Sequence, residues 1–341
     1  REAPSAAWRS RFVRNLPHIQ GTELLRHRRS TCGWHDEGVQ LSRASVNDAL
    51  ATVRESVGKA LRDRVAGPDG EARMMQLMEP TAPRWFAEDR PIRRVHADAS
   101  MFIGGLRALL VQSLHPLAMA GVAQHSDYRN DPWGRLQRTA DFLAATSFGP
   151  ASEAQRAIDI VNRVHERVVG TASDGRAYSA RDPHLLRWVH IVEIDSFLAA
   201  HQRFGEFPLD QAGCDAYVAD TALIARKLGV PAPPESVRGM RDQIGSYRGE
   251  IRGTKESRDA MRYLVLEPPL PPVARAAYSL LVAATISTLP RWARPHLGLP
   301  YLPVTERLAL HPLGDAITRV VRWAMPPRDS TDQRASSTNP S

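Results

Sequence analysis

The stretch VNRVHERVVG (161–170) sets His165 in a row with Ile158, Val161 and Val168, at the three- and four-residue spacing of one helix face. Three of these are branched apolar side chains that gain from burial; the fourth is an imidazole. Such a histidine either hydrogen-bonds a backbone carbonyl in the core or ligates a metal, and an apolar stripe beside it suits the flat face of a haem. A second unusual face follows Asp131-Pro132, where Arg135, Arg138, Thr139 and Phe142 recur at three, four and seven. Guanidinium forks there suit carboxylate or phosphate, and the phenylalanine implies a group held partly inside. A solvated ridge with a chance aromatic is the alternative. The two faces are complementary: one offers a ring nitrogen on apolar surface, the other cations for propionates or donors for a distal ligand.

Further histidines lie nearby in sequence. In DPHLLRWVHIVEIDSFLAAHQRFG, His184 and Trp188 are four apart, as are Leu186 and His190; Trp188 and His190 either line a pocket or pack in the core. His115 before Pro116 reads as the entry to a helix. His125, before Ser126 and Asp127, either caps, hydrogen-bonds or serves a distal role. Other standard sites fail. His165-Glu166 has no second histidine to complete HExxH, GSYRG (245–249) has its serine misplaced for a nucleophile elbow, and no glycine-rich phosphate loop occurs. There is no pair of ExxH motifs for a dinuclear carboxylate site. Cys32 and Cys214 form neither a disulfide framework nor a CxxC site, and the lack of CxxCH excludes covalent c-type haem.

The elements that must position these residues are helices. The chain has 341 residues, 43% of them hydrophobic and 24% charged, ample for a large core. A net charge of +8 normally suggests nucleic acid or anionic lipid. Here the only lysines are Lys59, Lys227 and Lys255, and the arginines are scattered among acids, a pattern of coding bias and solvated faces that gives no nucleic-acid footprint. Residues 1–40 read as an extension, partly ordered at best, followed by a helix over 43–66, the break GPDG, and a short Met-rich helix over 71–78. The segment EPTAPRWFAEDRP reads as a loop. Helices are then expected near 97–111, 116–123, 133–146, 151–169, 184–202, 210–228, 234–248, 255–264, 271–288 and 304–324. Asp131-Pro132 and Asp182-Pro183 each supply an N-cap carboxylate and a first-turn proline. No alternating β-branched run argues a sheet, so the expected class is all-α. The domains expected are an extension over 1–80 with one or two helices, a main domain over 81–325, and a disordered tail over 326–341. Arg107 and His115-Pro116 interrupt the apolar run 101–123, and 278–290 is too short to span a bilayer, so both read as core helices. A cytoplasmic protein is expected, with peripheral membrane contact near 278–303, where Trp292 and Tyr301 flank basic residues, as an alternative.

The strings VHADASMFIGGLRALLVQSLHPLAMAGVAQHSDYRNDPWGRLQRT, VNRVHERVVG and DGRAYSARDPHLLRWVHIVEIDSFLAAHQRFG, with LPRWARPHLGLPYLP later on, resemble the MpaB/rubber-oxygenase (latex clearing protein) catalytic domain over about Trp85 to Trp323. The resemblance implies a globin-like helical core with additional helices, one non-covalent haem b, and an oxygenase using O2 on a hydrophobic, unsaturated or prenyl-like substrate. It makes His165, in the HxxV motif, the iron ligand. It aligns Arg135-Leu136-Gln137-Arg138-Thr139 with the family's distal Arg-x-x-Lys-Thr, so that Arg138 replaces a lysine. Val169 stands where the rubber oxygenases tend to carry arginine. In this reading Arg135, Thr139, Arg138 and Trp188 bind the cofactor, and Arg138 with His125 donates hydrogen bonds on the distal side. The second ring nitrogen of His165 is expected to donate to a carbonyl or carboxylate. A non-catalytic haem- or lipid-binding protein, or a redox sensor, on the same fold is the alternative.

Overall fold

The structure, a computed structural model, describes residues 43–67, 69–77 and 82–325. The expected extension over 1–40 and the expected tail over 326–341 lie outside the described residues. The chain divides into two compact units, 1–46 and 47–341, and the description below concerns the second.

Among the described residues the class is all-α. α1 (Arg43–Ala66) and α2 (Gly70–Leu77) flank the GPDG break, where Gly67 takes a positive φ of 74°. α3 (Pro91–Ala97) begins on Pro91 inside the segment read as a loop; its few residues bury only Ile92 and Val95, too short a period to announce a helix. α4 (Met101–Gln112) and α5 (Pro116–His125) follow, bent by 107° across the His115-Pro116 break. Next come α6 (Pro132–Phe148) and α7 (Ala151–His165), then the ribbon β1 (Val169–Thr171) and β2 (Ala177–Ser179), then α8 (Pro183–Phe204). The remainder is α9 (Gln211–Lys227), α10 (Val237–Ser246), α11 (Lys255–Val265), α12 (Pro272–Thr288), α13 (Arg294–Leu297), α14 (Pro303–Thr305) and α15 (His311–Ala324). A wide π turn over Glu306–Leu310 joins the last two just before Pro312, which has no N–H for the usual i−4 bond.

The expected helix over 151–169 ends early, at His165. Tight turns close it, with Arg167 N–H on the Val164 carbonyl and Val168 N–H on the His165 carbonyl. The following Val168-Val169-Gly170 turns extended, and β1 pairs antiparallel with β2, Val169 opposite Ser179. Gly170 is required there, because a Cβ would sit 2.5 Å from the Tyr178 hydroxyl. The ribbon is too short to be announced by alternation in the sequence.

α8 is the central helix, and α4 packs along it more extensively than any other element. Their close approach depends on Gly104, whose added Cβ would lie 2.7 Å from the Phe197 ring and 3.0 Å from the Phe197 Cα. Around this contact Leu110, Val111, Trp188, Ile191 and Val192 are buried, each 1% exposed or less. Arg107, which interrupts the apolar run of α4, is buried and fully engaged: its guanidinium donates to Asp195 (2.8 Å), Ser196 Oγ (2.6 Å) and the Thr288 carbonyl (3.0 Å). A buried charge satisfied within the protein fits a core helix. No single described helix is long and apolar enough to cross a membrane.

Candidate functional site

α6 starts as its sequence implies. The Asp131 carboxylate accepts the Gly134 N–H at 2.9 Å, and Pro132 occupies the first turn. A two-residue connection, Gly149-Pro150, returns the chain as α7, and the two helices pack on each other as an αα-hairpin. His165 ends α7 and Arg135 lies in the first turn of α6, so both belong to the end of the hairpin away from Gly149-Pro150. Burial falls away from the closed end. Thr146, Ser147, Ala154 and Ile158 are buried, whereas Leu136, Ile160 and Val164 near the open end are 39%, 48% and 54% exposed. Apolar side chains left bare on two adjacent helices form a surface suited to an apolar group.

His165 is half-buried there, and burial lowers its pKa, so it is neutral and able to ligate near pH 7. Its Nδ1 is buried without a hydrogen-bond partner, contrary to the expected bond to a carbonyl or carboxylate. The row expected around it is revised: Ile158 is fully buried and Val161 half-buried on α7, but Val168 lies beyond the helix end.

The α6 residues separate in depth. Arg135 is half-buried, with burial lowering its pKa; it donates to Ser126 Oγ at 3.0 Å and has no carboxylate partner among the described residues. Arg138 is exposed and paired with Asp131 at 3.1 Å. Thr139 is exposed, its hydroxyl returned to the Arg135 carbonyl at 3.0 Å, and Phe142 packs against the core. His125 is also exposed, with Nε2 3.1 Å from the Val169 carbonyl. Trp188 is fully buried, donates to the Gln112 carbonyl at 3.1 Å and packs against Tyr247, leaving no open surface for a ligand.

Two α8 residues lie on a face that is not close-packed. His190 and Glu193 keep some exposed area, yet burial pushes the imidazole down to about 4 and the carboxyl up to about 7. Nε2 of His190 is buried and unpartnered. The Glu193 charge is felt by Tyr217 on α9, whose hydroxyl lies 3.2 Å from His96 Nε2; His96 Nδ1 reaches Ser147 Oγ on α6 at 2.7 Å. A buried polar seam thus runs from α8 to the closed end of the hairpin. Sequence reasoning missed Glu193, although a carboxylate inside WVHIVEIDSFLA, one turn after His190, is the signal that could have found it. It also missed Glu250, which meets His115 and His184 in space with no sequence cue.

The open end of the hairpin in this all-α protein thus holds a neutral imidazole and a guanidinium with no acid partner among the described residues. The profile of the family described as ER-bound oxygenase mpaB/B'/Rubber oxygenase, catalytic domain, matches residues 93–323, more than half of the chain, and the chain belongs to that family. Neither the curated proteins nor the solved structures include a significant match.

Proposed function

We propose that the chain is a haem b-dependent oxygenase that uses O2 on a hydrophobic substrate with an unsaturated or prenyl-like chain. Membership of an oxygenase family supports the reaction class. The observation that carries the haem reading is His165: a neutral imidazole, partnerless at Nδ1, at the same end of the α6–α7 hairpin as Arg135, which pairs with no acid among the described residues. These residues fit the group. His165 would hold the iron, Arg135 would pair with a propionate, and Leu136, Ile160 and Val164 would cover the apolar face. When bound, haem supplies the redox chemistry of dioxygen that protein side chains lack.

The chain's own residues do the positioning. Thr139 is fastened to the Arg135 carbonyl and braces the turn carrying that guanidinium. Arg138 takes a distal part only by leaving Asp131; that exposed pair is worth at most ~1 kcal/mol, a small barrier to the exchange. His125 likewise must release the Val169 carbonyl. Glu193 can hold or release a proton near neutrality, while His190 stays neutral there. A hydrophobic substrate is delivered most directly from a membrane surface. We place the peripheral contact at Tyr301, Leu302, Val304 and Leu308, exposed between 43% and 73%, with Arg307 among them for anionic headgroups.

The test is the absorption spectrum of the purified chain and of His165→Ala after haemin reconstitution. An intense Soret band in the wild type, lost in the variant, is expected, together with spectral change on adding CO. Aerobic incubation with unsaturated lipids and isoprenoids should yield aldehydes or ketones by mass spectrometry. A haem spectrum indifferent to O2, CO and imidazole favours the carrier or sensor alternative, and a colourless reconstituted protein sinks the haem reading.

A further inference from the structure

At the N-terminal end of α8 three side chains from distant parts of the chain converge, in a cluster separate from His165. His115 caps the start of α5, His184 sits in the first turn of α8, and Glu250 follows the tight turn Tyr247–Gly249. Nε2 of His184 lies 2.8 Å from Glu250 Oε2 and 3.0 Å from Oε1; Nε2 of His115 lies 3.3 Å from the same Oε2. One ligand atom from each residue falls within 4.8 Å of the others. In a tetrahedral site with bonds of about 2.0–2.1 Å, neighbouring ligand atoms are roughly 3.4 Å apart, a spacing that the two His–Glu distances already approach.

Each ligand is braced independently. The Asp182 carboxylate accepts the His184 N–H at 2.8 Å. The Tyr247 ring stacks on His184 with centroids 4.5 Å apart, and its hydroxyl donates to the His184 carbonyl at 2.9 Å. Arg252 N–H donates to the Leu114 carbonyl at 2.8 Å, tying the Glu250 segment to the residue before His115. His115 is 1% exposed, whereas His184 and Glu250 are 45% and 39% exposed, so one side is open to solvent. Pro116 and Arg252, close in the chain to His115 and Glu250, help line a neighbouring cleft with Asp174, Arg176, Thr254 and Glu256.

We propose that His115, His184 and Glu250 bind a first-row divalent cation, as two imidazoles and one carboxylate with an open position facing solvent. Two neutral nitrogens and one carboxylate oxygen suit Zn2+ and its neighbours, and too few oxygens are present for Ca2+ or Mg2+. The open position would take water.

The test uses the full chain without a histidine tag, stripped of metal by dialysis and titrated with Zn2+ by calorimetry and with Co2+ by absorption. One equivalent per chain is expected, with ligand-field bands of low-coordinate Co2+. Outer-shell changes alone cost about 10–100-fold in affinity, so Glu250→Gln and His184→Asn should each lose at least ~100-fold. Both side chains are at the surface, so these variants should fold, as circular dichroism checks. His165→Ala should bind as the wild type does, which separates this site from the haem proposal. Absence of stoichiometric binding, binding unchanged in both variants, or binding lost in His165→Ala overturns the assignment.

Discussion

One helical turn separates His190 from Glu193 on α8, and burial drives the two in opposite directions, the imidazole down to about 4 and the carboxyl up to about 7. The pair therefore stays uncharged through weakly acidic pH. The helix that forms the core thus also carries a carboxyl that titrates near neutrality.

Glu193→Gln should stabilise the protein in alkali. With a folded pKa above the ordinary 4.5, Glu193 favours the fold fully below pH 4.5, and that contribution is lost as pH rises to about 7. At pH 8 the variant should gain up to ~3 kcal/mol over the wild type, and the gain should vanish below pH 4.5. His190 acts with the reverse sign: its depressed pKa supports the fold above pH 6.5, and the support is lost as pH falls toward 4. Urea unfolding at several pH values measures both, and a pH-independent difference for Glu193→Gln would refute the buried-carboxyl assignment.

Arg135 and Arg138 should differ in effect despite identical chemistry. Arg135 is half-buried and lacks an acid, so Arg135→Gln removes a charge-assisted contact of about 1.5–3 kcal/mol and should weaken haemin binding at least ~10-fold. Arg138 is exposed and already paired with Asp131, so Arg138→Gln should change haemin affinity less than about threefold. Haemin transfer to apomyoglobin gives the two rates; equal losses would contradict the depth difference.

The sequence made helices legible where capping and long apolar periods coincided. Asp131 and Asp182 predicted the starts of α6 and α8, and both carboxylates accept the expected backbone N–H groups. It failed where a local contest was decided by tertiary contact. α7 stops at His165 because Val168-Val169-Gly170 finds a strand partner at 177–179, and nothing local announces that partner. Seven-residue α3 carries too little periodicity to be seen. At the candidate site, His165 and Arg135 stand out in the sequence because each breaks the pattern of its own helix. Glu250 does not, because its significance arises only when the chain brings it to His115 and His184. Trp188 was read as a cofactor contact on its type and spacing, and it spends that surface on the core instead.

Gly104→Ala tests the closest helix crossing. The new methyl meets the Phe197 backbone as well as its ring, so rotation of the side chain cannot relieve the clash and α4 must move off α8. Overpacking of this kind costs about 1–3 kcal/mol. Thermal unfolding should show the loss, whereas Gly105→Ala, whose Cβ would lie 3.8 Å from the same ring, should be close to neutral.

The motif LPRWARPHLGLPYLP contributes a structural centre through Arg294. Arg294 is 1% exposed; it pairs with Glu306 through two guanidinium nitrogens and donates to the carbonyls of Leu289 (3.1 Å), Pro300 (3.1 Å) and Ile286 (2.9 Å). Arg294→Ala leaves the buried Glu306 carboxylate without its countercharge and takes the Arg294 donor from the Leu289 and Pro300 carbonyls, and should cost about 3–5 kcal/mol. Glu306→Leu strands the guanidinium's charge, although the carbonyls still receive its donors, and should cost less. If the ion pair were the whole interaction, the double variant Arg294→Met/Glu306→Leu would approach wild-type stability, because an apolar pair of similar volume can replace a buried ion pair. The carbonyls argue otherwise: Ile286 still accepts the Leu289 N–H, but Leu289 and Pro300 lose the Arg294 donor in the double variant, each at roughly 1–3 kcal/mol unless water enters. The double variant should therefore remain clearly less stable than wild type and near Arg294→Ala in urea unfolding. Full recovery would mean that the carbonyl contacts contribute little and the Glu306 pairing dominates.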